Sequence, residues 1–355
     1  MLSDQGAIQL EDGRLLLLRE LWRYDSSGQP VFDRHEVVLL SAADPEAPAE
    51  VLFASPFIEG GLVMAAESPP RVLAVGSPSH DATSALLISH PVGSDGDARE
   101  WTRAADGVIR TVAVSPDGTV GVIRVRPIGV MVSELTLETW RVDDGTVVSS
   151  VVLPAGEEVA AFASYDTGDA RVWLLETYRE DHTMRLATVA DGEFHYLHSD
   201  IPLESHLEFL ASGELLMDRS GDEMVLRIIE RTGESRLAVA AVSGERIELL
   251  GEIGEDDIAS ARIVDLEGDG RNEIVGVQRV GESQVMGDAY PGRVYVVRVE
   301  EEGSYSAIHS EAYMGAGIDA IDVGDLDGDG AQEIIVGYRT GTQDLQSHVD
   351  VLSLK

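Results

Sequence analysis

Two nine-residue segments carry the residue types best suited to chemistry. They are Asp265-Leu-Glu-Gly-Asp-Gly-Arg-Asn-Glu273 and Asp325-Leu-Asp-Gly-Asp-Gly-Ala-Gln-Glu333. Each has carboxylates at positions 1, 3, 5 and 9 and glycines at 4 and 6. Each then runs straight into a hydrophobic stretch, Ile274-Val-Gly-Val277 or Ile334-Ile-Val-Gly-Tyr338. Glycine tolerates the positive φ of a tight turn, so alternate side chains can converge on one point. Carboxylates packed that closely raise each other's pKa unless a cation sits among them. A hard cation such as calcium, with about six to eight oxygen ligands, suits the spacing. The ligand set in the second loop would be Asp325, Asp327, Asp329, the Ala331 carbonyl and Glu333. In the first it would be Asp265, Glu267, Asp269, the Arg271 carbonyl and Glu273. Glu267 is longer than the Asp at the matching position, and Arg271 adds a positive side chain. Of the two calcium sites, the second is therefore expected to be the stronger.

The same opening occurs in the EF-hand, which closes on a bidentate glutamate at position 12 and lies between helices. Here position 12 is Gly276 or Val336, and the flanks read as strands, so the EF-hand is excluded. No other cluster matches these loops. Ser77-Pro-Ser-His80-Asp81 holds the residue types of a hydrolytic triad, but neighbours on an extended chain point apart. His195, His198 and His206 are candidate zinc ligands. Histidines three apart on a strand face opposite sides, which argues against that grouping. A nucleophile elbow, a phosphate loop and an H-E-x-x-H helix are all absent from the sequence. No catalytic residue is assigned. Trp22, Trp101, Trp140 and Trp173 fall in different repeats and are expected to pack between sheets.

The elements that must hold these loops are strands. Short β-rich runs broken by Gly, Asp, Pro and Ser fill the chain. A hairpin recurs: strands flank turns near residues 13, 70, 118, 168 and 213, and the acidic loops at 270 and 330 continue the series. In the fifth copy the expected pair is Leu207-Glu-Phe-Leu210 and Glu214-Leu-Leu-Met217, around Ala211-Ser-Gly213. A four-stranded propeller blade takes roughly 40–50 residues, so turns at these spacings suit a propeller, the longer ones needing loop insertions. The expected fold is all-β: a single β-propeller over residues 1–355, with seven four-stranded blades as the first choice and six or eight as alternatives. The blade segments are 6–57, 58–106, 107–155, 156–203, 204–254, 255–314 and 315–355. Two stacked β-sandwiches would share the turn density but not the constant period. His348–Leu354 reads as a third strand of the last blade, and residues 281–292 as a loop insertion.

Composition narrows the partners. Lys+Arg is 26 against Asp+Glu 64, a net charge of −38, which repels phosphate backbones and anionic lipid. Nucleic acid is excluded, and no apolar run is long enough to enter a membrane. Only Lys355 is a lysine, which reads as a coding preference for arginine. There is no cysteine, hence no disulfide, thiolate metal site or thiol chemistry. The first ten residues lack the pattern of a signal peptide.

Residues 265–276 and 323–337 resemble FG-GAP repeats and the related VCBS repeats of integrin α-subunit propellers and bacterial surface proteins. Gly292-Arg-Val-Tyr-Val-Val297 is similar to the third strand of such a repeat, and the likeness is clearest over residues 258–355. The resemblance implies calcium in the loop between the first two strands of a blade. It also implies an extracytoplasmic binding, adhesion or scaffolding module whose protein or glycan partner sits on the ring face. Alternatives are a propeller enzyme acting on glycans, as hydrolase or lyase, and a structural segment of a larger surface protein. Clustering of Asp33, Arg34, His35 and Glu36 with His80 or His206 would favour the enzyme.

Overall fold

The computed structural model describes residues 7–9, 14–24, 30–41, 50–55, 59–65, 71–77, 84–92, 101–129, 132–179, 184–199, 206–216, 220–230, 235–253, 258–278, 292–299, 305–313, 316–325, 331–340 and 346–353. Its regular elements are all β-strands, arranged as successive antiparallel sheets.

The first sheet orders β1 (Ala7–Gln9), β2 (Arg14–Tyr24), β3 (Pro30–Ser41) and β4 (Glu50–Ala54). The second orders β5 (Glu59–Ala65), β6 (Arg71–Ser77), β7 (Ser84–Pro91) and β8 (Trp101–Asp106). The third orders β9 (Val108–Ser115), β10 (Thr119–Gly129), β11 (Val132–Arg141) and β12 (Val147–Val152). The fourth orders β13 (Glu157–Asp166), β14 (Arg171–Arg179), β15 (Met184–Ala190) and β16 (Glu193–Tyr196). In the fifth, β18 (His206–Gly213), β19 (Glu223–Ile229), β20 (Ser235–Ser243) and β21 (Arg246–Ile253) follow in order. The short strand β17 (His198–Ser199) adds in parallel at its far edge. The sixth orders β22 (Ile258–Val264), β23 (Glu273–Gln278), β24 (Gly292–Val299) and β25 (Tyr305–Tyr313). The seventh has three strands among the described residues, β26 (Ala316–Gly324), β27 (Glu333–Thr340) and β28 (Gln346–Leu352).

The chain divides into two compact units, Met1–Val159 with Val189–Phe194, and Ala160–Thr188 with His195–Lys355. Within each, consecutive sheets pack face to face, and strand alternation decides which neighbour each side chain meets. In the first unit, Val72 and Ala74 of β6 join Leu16, Val37 and Leu39 of the first sheet. The intervening Leu73 and Val75 join Val112, Val120, Val122 and Trp140 of the third. In the second unit, Ile274 of β23 packs with Val225, Leu237 and Val239 of the fifth sheet. Val275 and Val277 turn the other way, to Ile321, Ile334 and Val336 of the seventh. Middle strands buried on both faces therefore read as continuous apolar runs. The burial of β23 is unbroken from Glu273 to Val277, while the fourth strand β12 alternates with exposed positions. Trp140 and Trp173 are buried, as expected of packing aromatics. Trp22 and Trp101 lie outside the described side chains.

Most expected hairpins are present as paired strands; the fifth is displaced. Residues 214–216 are not strand, and the second strand begins at Glu223. Leu215 is buried within the connection, 5% exposed, so its apolar character comes from plugging the sheet end rather than from strand pairing.

Candidate metal centre

The first acidic loop joins β22 to β23, and its ends are fixed by the pair Val264↔Glu273. Gly268 (φ 68) and Gly270 (φ 85) take the left-handed conformation that allows the chain to reverse between them. Asp265 stabilises the reversal: its Oδ1 accepts from the Asp269 amide at 3.1 Å and its Oδ2 from the Gly270 amide at 2.8 Å. Asp269 Oδ1 accepts from the Arg271 amide at 2.9 Å. These are side-chain-to-backbone turns of the kind Asp favours.

The closing Glu273 is fully buried. Its Oε2 accepts from the Leu266 amide at 3.1 Å, and its Oε1 from Arg298 Nε at 3.3 Å. Burial pushes the Glu273 carboxyl up; the Leu266 amide and Arg298 pull it back. Arg298 Nη2 also stands 2.5 Å from Glu267 Oε1, so one guanidinium from β24 bridges positions 3 and 9 of the loop. No three acidic or histidine side chains converge as a metal shell among the described residues. Two of the first loop's five expected ligands are thus engaged by an arginine, a partner that the loop's own sequence could not reveal.

The second loop repeats the frame. The pair Gly324↔Glu333 closes it, as Val264↔Glu273 closes the first. Asp325 and Ala331 are half-buried and Glu333 is buried. Asp327 and Asp329 lie outside the described residues. The two loops touch: the Gln332 amide donates to the Leu266 carbonyl at 3.3 Å.

The frame occurs a third time, in the fifth sheet, where the pair Gly213↔Glu223 closes the connection. Asp222-Glu223-Met-Val-Leu226, Asn272-Glu273-Ile-Val-Gly276 and Gln332-Glu333-Ile-Ile-Val336 occupy the same place, a polar residue and a glutamate opening the second strand. In each, the polar residue reaches back to the preceding sheet. Asn272 Nδ2 donates to the Glu214 carbonyl, and Gln332 to Leu266 as above. Asp222 exchanges bonds with Asp166, amide to carbonyl at 2.7 Å and Asp166 amide to Asp222 Oδ2 at 2.8 Å. There the approach is so close that a Cβ on Gly221 would stand 2.4 Å from the Gly168 amide nitrogen. Glu223 turns inward like Glu273, accepting from the Leu215 and Leu216 amides at 2.7 and 3.1 Å. Glu223 and Glu273 are thus loop caps, and Glu273 is a candidate ligand as well.

The other expected sites are described only in part, since the His206 side chain lies outside the described residues. Arg34 on β3 pairs with both Asp33 at 2.8 Å and Glu36 at 2.7 Å. His195 and His198 are exposed on separate strands. His80, Asp81 and the 281–291 segment lie outside the described residues. The Glu176 carboxyl on β14 is pushed up to about 8 by burial, against the lowering effect of the Phe209 amide. It is buried and faces the Phe209 amide of β18 in the fifth sheet.

No protein-family model and no curated protein sequence matches the chain. Solved structures do. The β-propeller domain of the Trilobed protease from Pyrococcus furiosus, described with an open velcro topology, superposes with a TM-score of 0.58 at 11% identity, covering 99% of this chain and 97% of that one. An acylaminoacyl peptidase in complex with Z-Gly-Gly-Phe-chloromethyl ketone gives 0.57 at 10% identity, over 96% of this chain. This chain spans 50% of the peptidase's length. A protein of Bacteroides uniformis assigned as a 6-phosphogluconolactonase gives 0.50 at 12% identity, with 96% and 98% covered. At such identities the likeness speaks for the fold, which is that of β-propellers.

Proposed function

We propose that this chain is a seven-bladed, FG-GAP-like propeller that acts outside the cytoplasm as a binding or scaffolding module, with calcium clamping its last two sheets. The observation that carries the proposal is the shared loop frame. Two successive sheets bear the same acidic pattern between equivalent residue pairs, and the loops meet at Gln332 and Leu266. In the second loop Asp325, Asp327, Asp329, the Ala331 carbonyl and Glu333 offer oxygen donors only, as a hard cation requires. Calcium there would tie the start of β27 to the end of β26, and through Gln332 to the sixth sheet. Millimolar extracellular calcium suffices to fill even a weak loop site. The net charge of −38 fits a cation-rich setting and a partner that is neither nucleic acid nor anionic lipid. The partner, protein or glycan, would use the ring face away from the acidic loops.

The test is thermal unfolding with calcium and with chelator. An ion present at about 100 times its dissociation constant stabilises by about 2.7 kcal/mol. Chelation is therefore expected to lower the melting temperature, and Asp327→Ala to abolish most of that response. Unfolding indifferent to chelator would remove calcium from the proposal. Glycan-array and purified-partner binding, each run with and without calcium, then tests the module itself.

A further inference from the structure

We propose that Arg298 is the resident counter-ion of the Asp265–Glu273 loop. That loop holds its shape without a metal, and cation dependence is confined to the Asp325–Glu333 loop. The second half of this statement rests on the calcium proposal; the first half does not.

The geometry is specific to one sheet. In the sixth, Ile274 pairs with Val297, and one step beyond, Glu273 meets Arg298. In the seventh, Ile334 pairs with Leu352, so the residue opposite Glu333 by register is Ser353. In the fifth, Met224 pairs with Ala240, so Glu223 stands opposite Ala241. Of these three registers, the one in the sixth sheet sets an arginine opposite the glutamate.

The position of that charge matters. Arg298 reaches Glu267 at 2.5 Å and Glu273 at 3.3 Å, the acids at positions 3 and 9 that a calcium ion would need. The guanidinium fork suits two carboxylates at once. It lies 27% exposed against a Glu273 carboxylate that is fully buried, so water screens that bond weakly. A metal in this loop would have to displace Arg298 or share its ligands with it, and like charges at that range repel. The remaining acids are committed to the backbone: Asp265 and Asp269 accept the amides of Asp269, Gly270 and Arg271. The loop supplies internally both the positive charge and the donors that a metal and its shell would otherwise provide. This is where the residues of the first loop do not fit the ion.

The experiment is hydrogen exchange of the 265–273 amides, with and without chelator, on wild type, Arg298→Gln and Arg298→Lys, joined to calcium stoichiometry by titration calorimetry. Wild-type exchange in 265–273 is expected to ignore chelator. Arg298→Gln is expected to speed exchange at Leu266 at least tenfold, and Arg298→Lys, which keeps the charge, much less. The wild-type measurement needs no variant to fold. Exchange in 265–273 that accelerates on chelation of wild type would overturn the proposal. So would an Arg298→Gln loop as protected as wild type, or an uptake of two calcium ions. Uptake of no calcium, with the Arg298→Gln effect intact, would refute calcium in the second loop while leaving the counter-ion assignment standing.

Discussion

Tyr165→Phe isolates the clasp between the fourth and fifth sheets. Tyr165 is completely buried, and its hydroxyl is used twice. It donates to the Asp222 carbonyl and accepts from the Val242 amide at 3.0 Å. Phenylalanine keeps the ring and the packing and deletes only the oxygen. The Val242 amide is then a buried donor without that acceptor, which costs about 1–3 kcal/mol, and the Asp222 carbonyl loses a bond worth about 1 kcal/mol. The sum, about 2–4 kcal/mol, is a roughly 30- to 1000-fold loss of protection where exchange proceeds through local opening. Hydrogen exchange should therefore show accelerated exchange of the Val242 amide, with a smaller effect at Asp166 and Asp222. Urea unfolding should shift to a lower midpoint. Amides in β2 and β10, in the other unit, serve as the internal control. A Val242 amide within about threefold of its wild-type rate, together with an unmoved urea midpoint, would refute the claim that this hydroxyl joins the two sheets.

The remaining predictions concern buried carboxyls. Glu223→Ala removes the acceptor of the Leu215 and Leu216 amides and is expected to cost about 2–4 kcal/mol in urea unfolding. Glu223→Gln retains one oxygen and should cost less than half of that; equal losses for the two variants would show that the amides are not what the side chain serves. Glu176 is raised from 4.5 to about 8, so the folded state holds its proton more tightly than the unfolded state. Its contribution is complete below about pH 4.5, falls as pH rises, and is exhausted above about pH 8. Against Glu176→Gln, wild type should lose at most about 5 kcal/mol across that window. The groups facing Glu176 are Glu208 and the Phe209 amide of β18, and Glu208 is itself paired with Arg227. A wild-type-minus-variant difference that stays flat from pH 4 to 9 would show that Glu176 is ionised in the fold.

Strand positions were legible where turn chemistry and periodicity agreed. Asp117-Gly118 between Val112–Ser115 and Thr119–Val122 yields β9 and β10 because Asp117 accepts from the Thr119 amide and Gly118 takes φ 78. The fifth hairpin misled because Leu215 and Leu216 continue the apolar run past the end of β18. One-dimensional patterning cannot separate a leucine that pairs in a strand from one that plugs a sheet end. The third loop frame at Asp222-Glu223 was available as a repeated polar–Glu–apolar triplet. Its signal is weak in one dimension because its preceding loop lacks the acid–glycine alternation.

The chain alone determined everything that depends on near neighbours: an all-β fold, the hairpin period, the acidic loops and the glycines that turn them. Those properties follow from local sterics and from the two-residue repeat of a strand. What surrounds each buried glutamate was decided only by tertiary structure. Glu273 and Glu333 both open the second strand of their sheets ahead of an apolar run, yet register brings Arg298 to one and Ser353 to the other. Charge compensation acts through space, across residues 25 positions apart in the chain. Two loops with the same acid–glycine spacing can therefore meet different electrostatic fates.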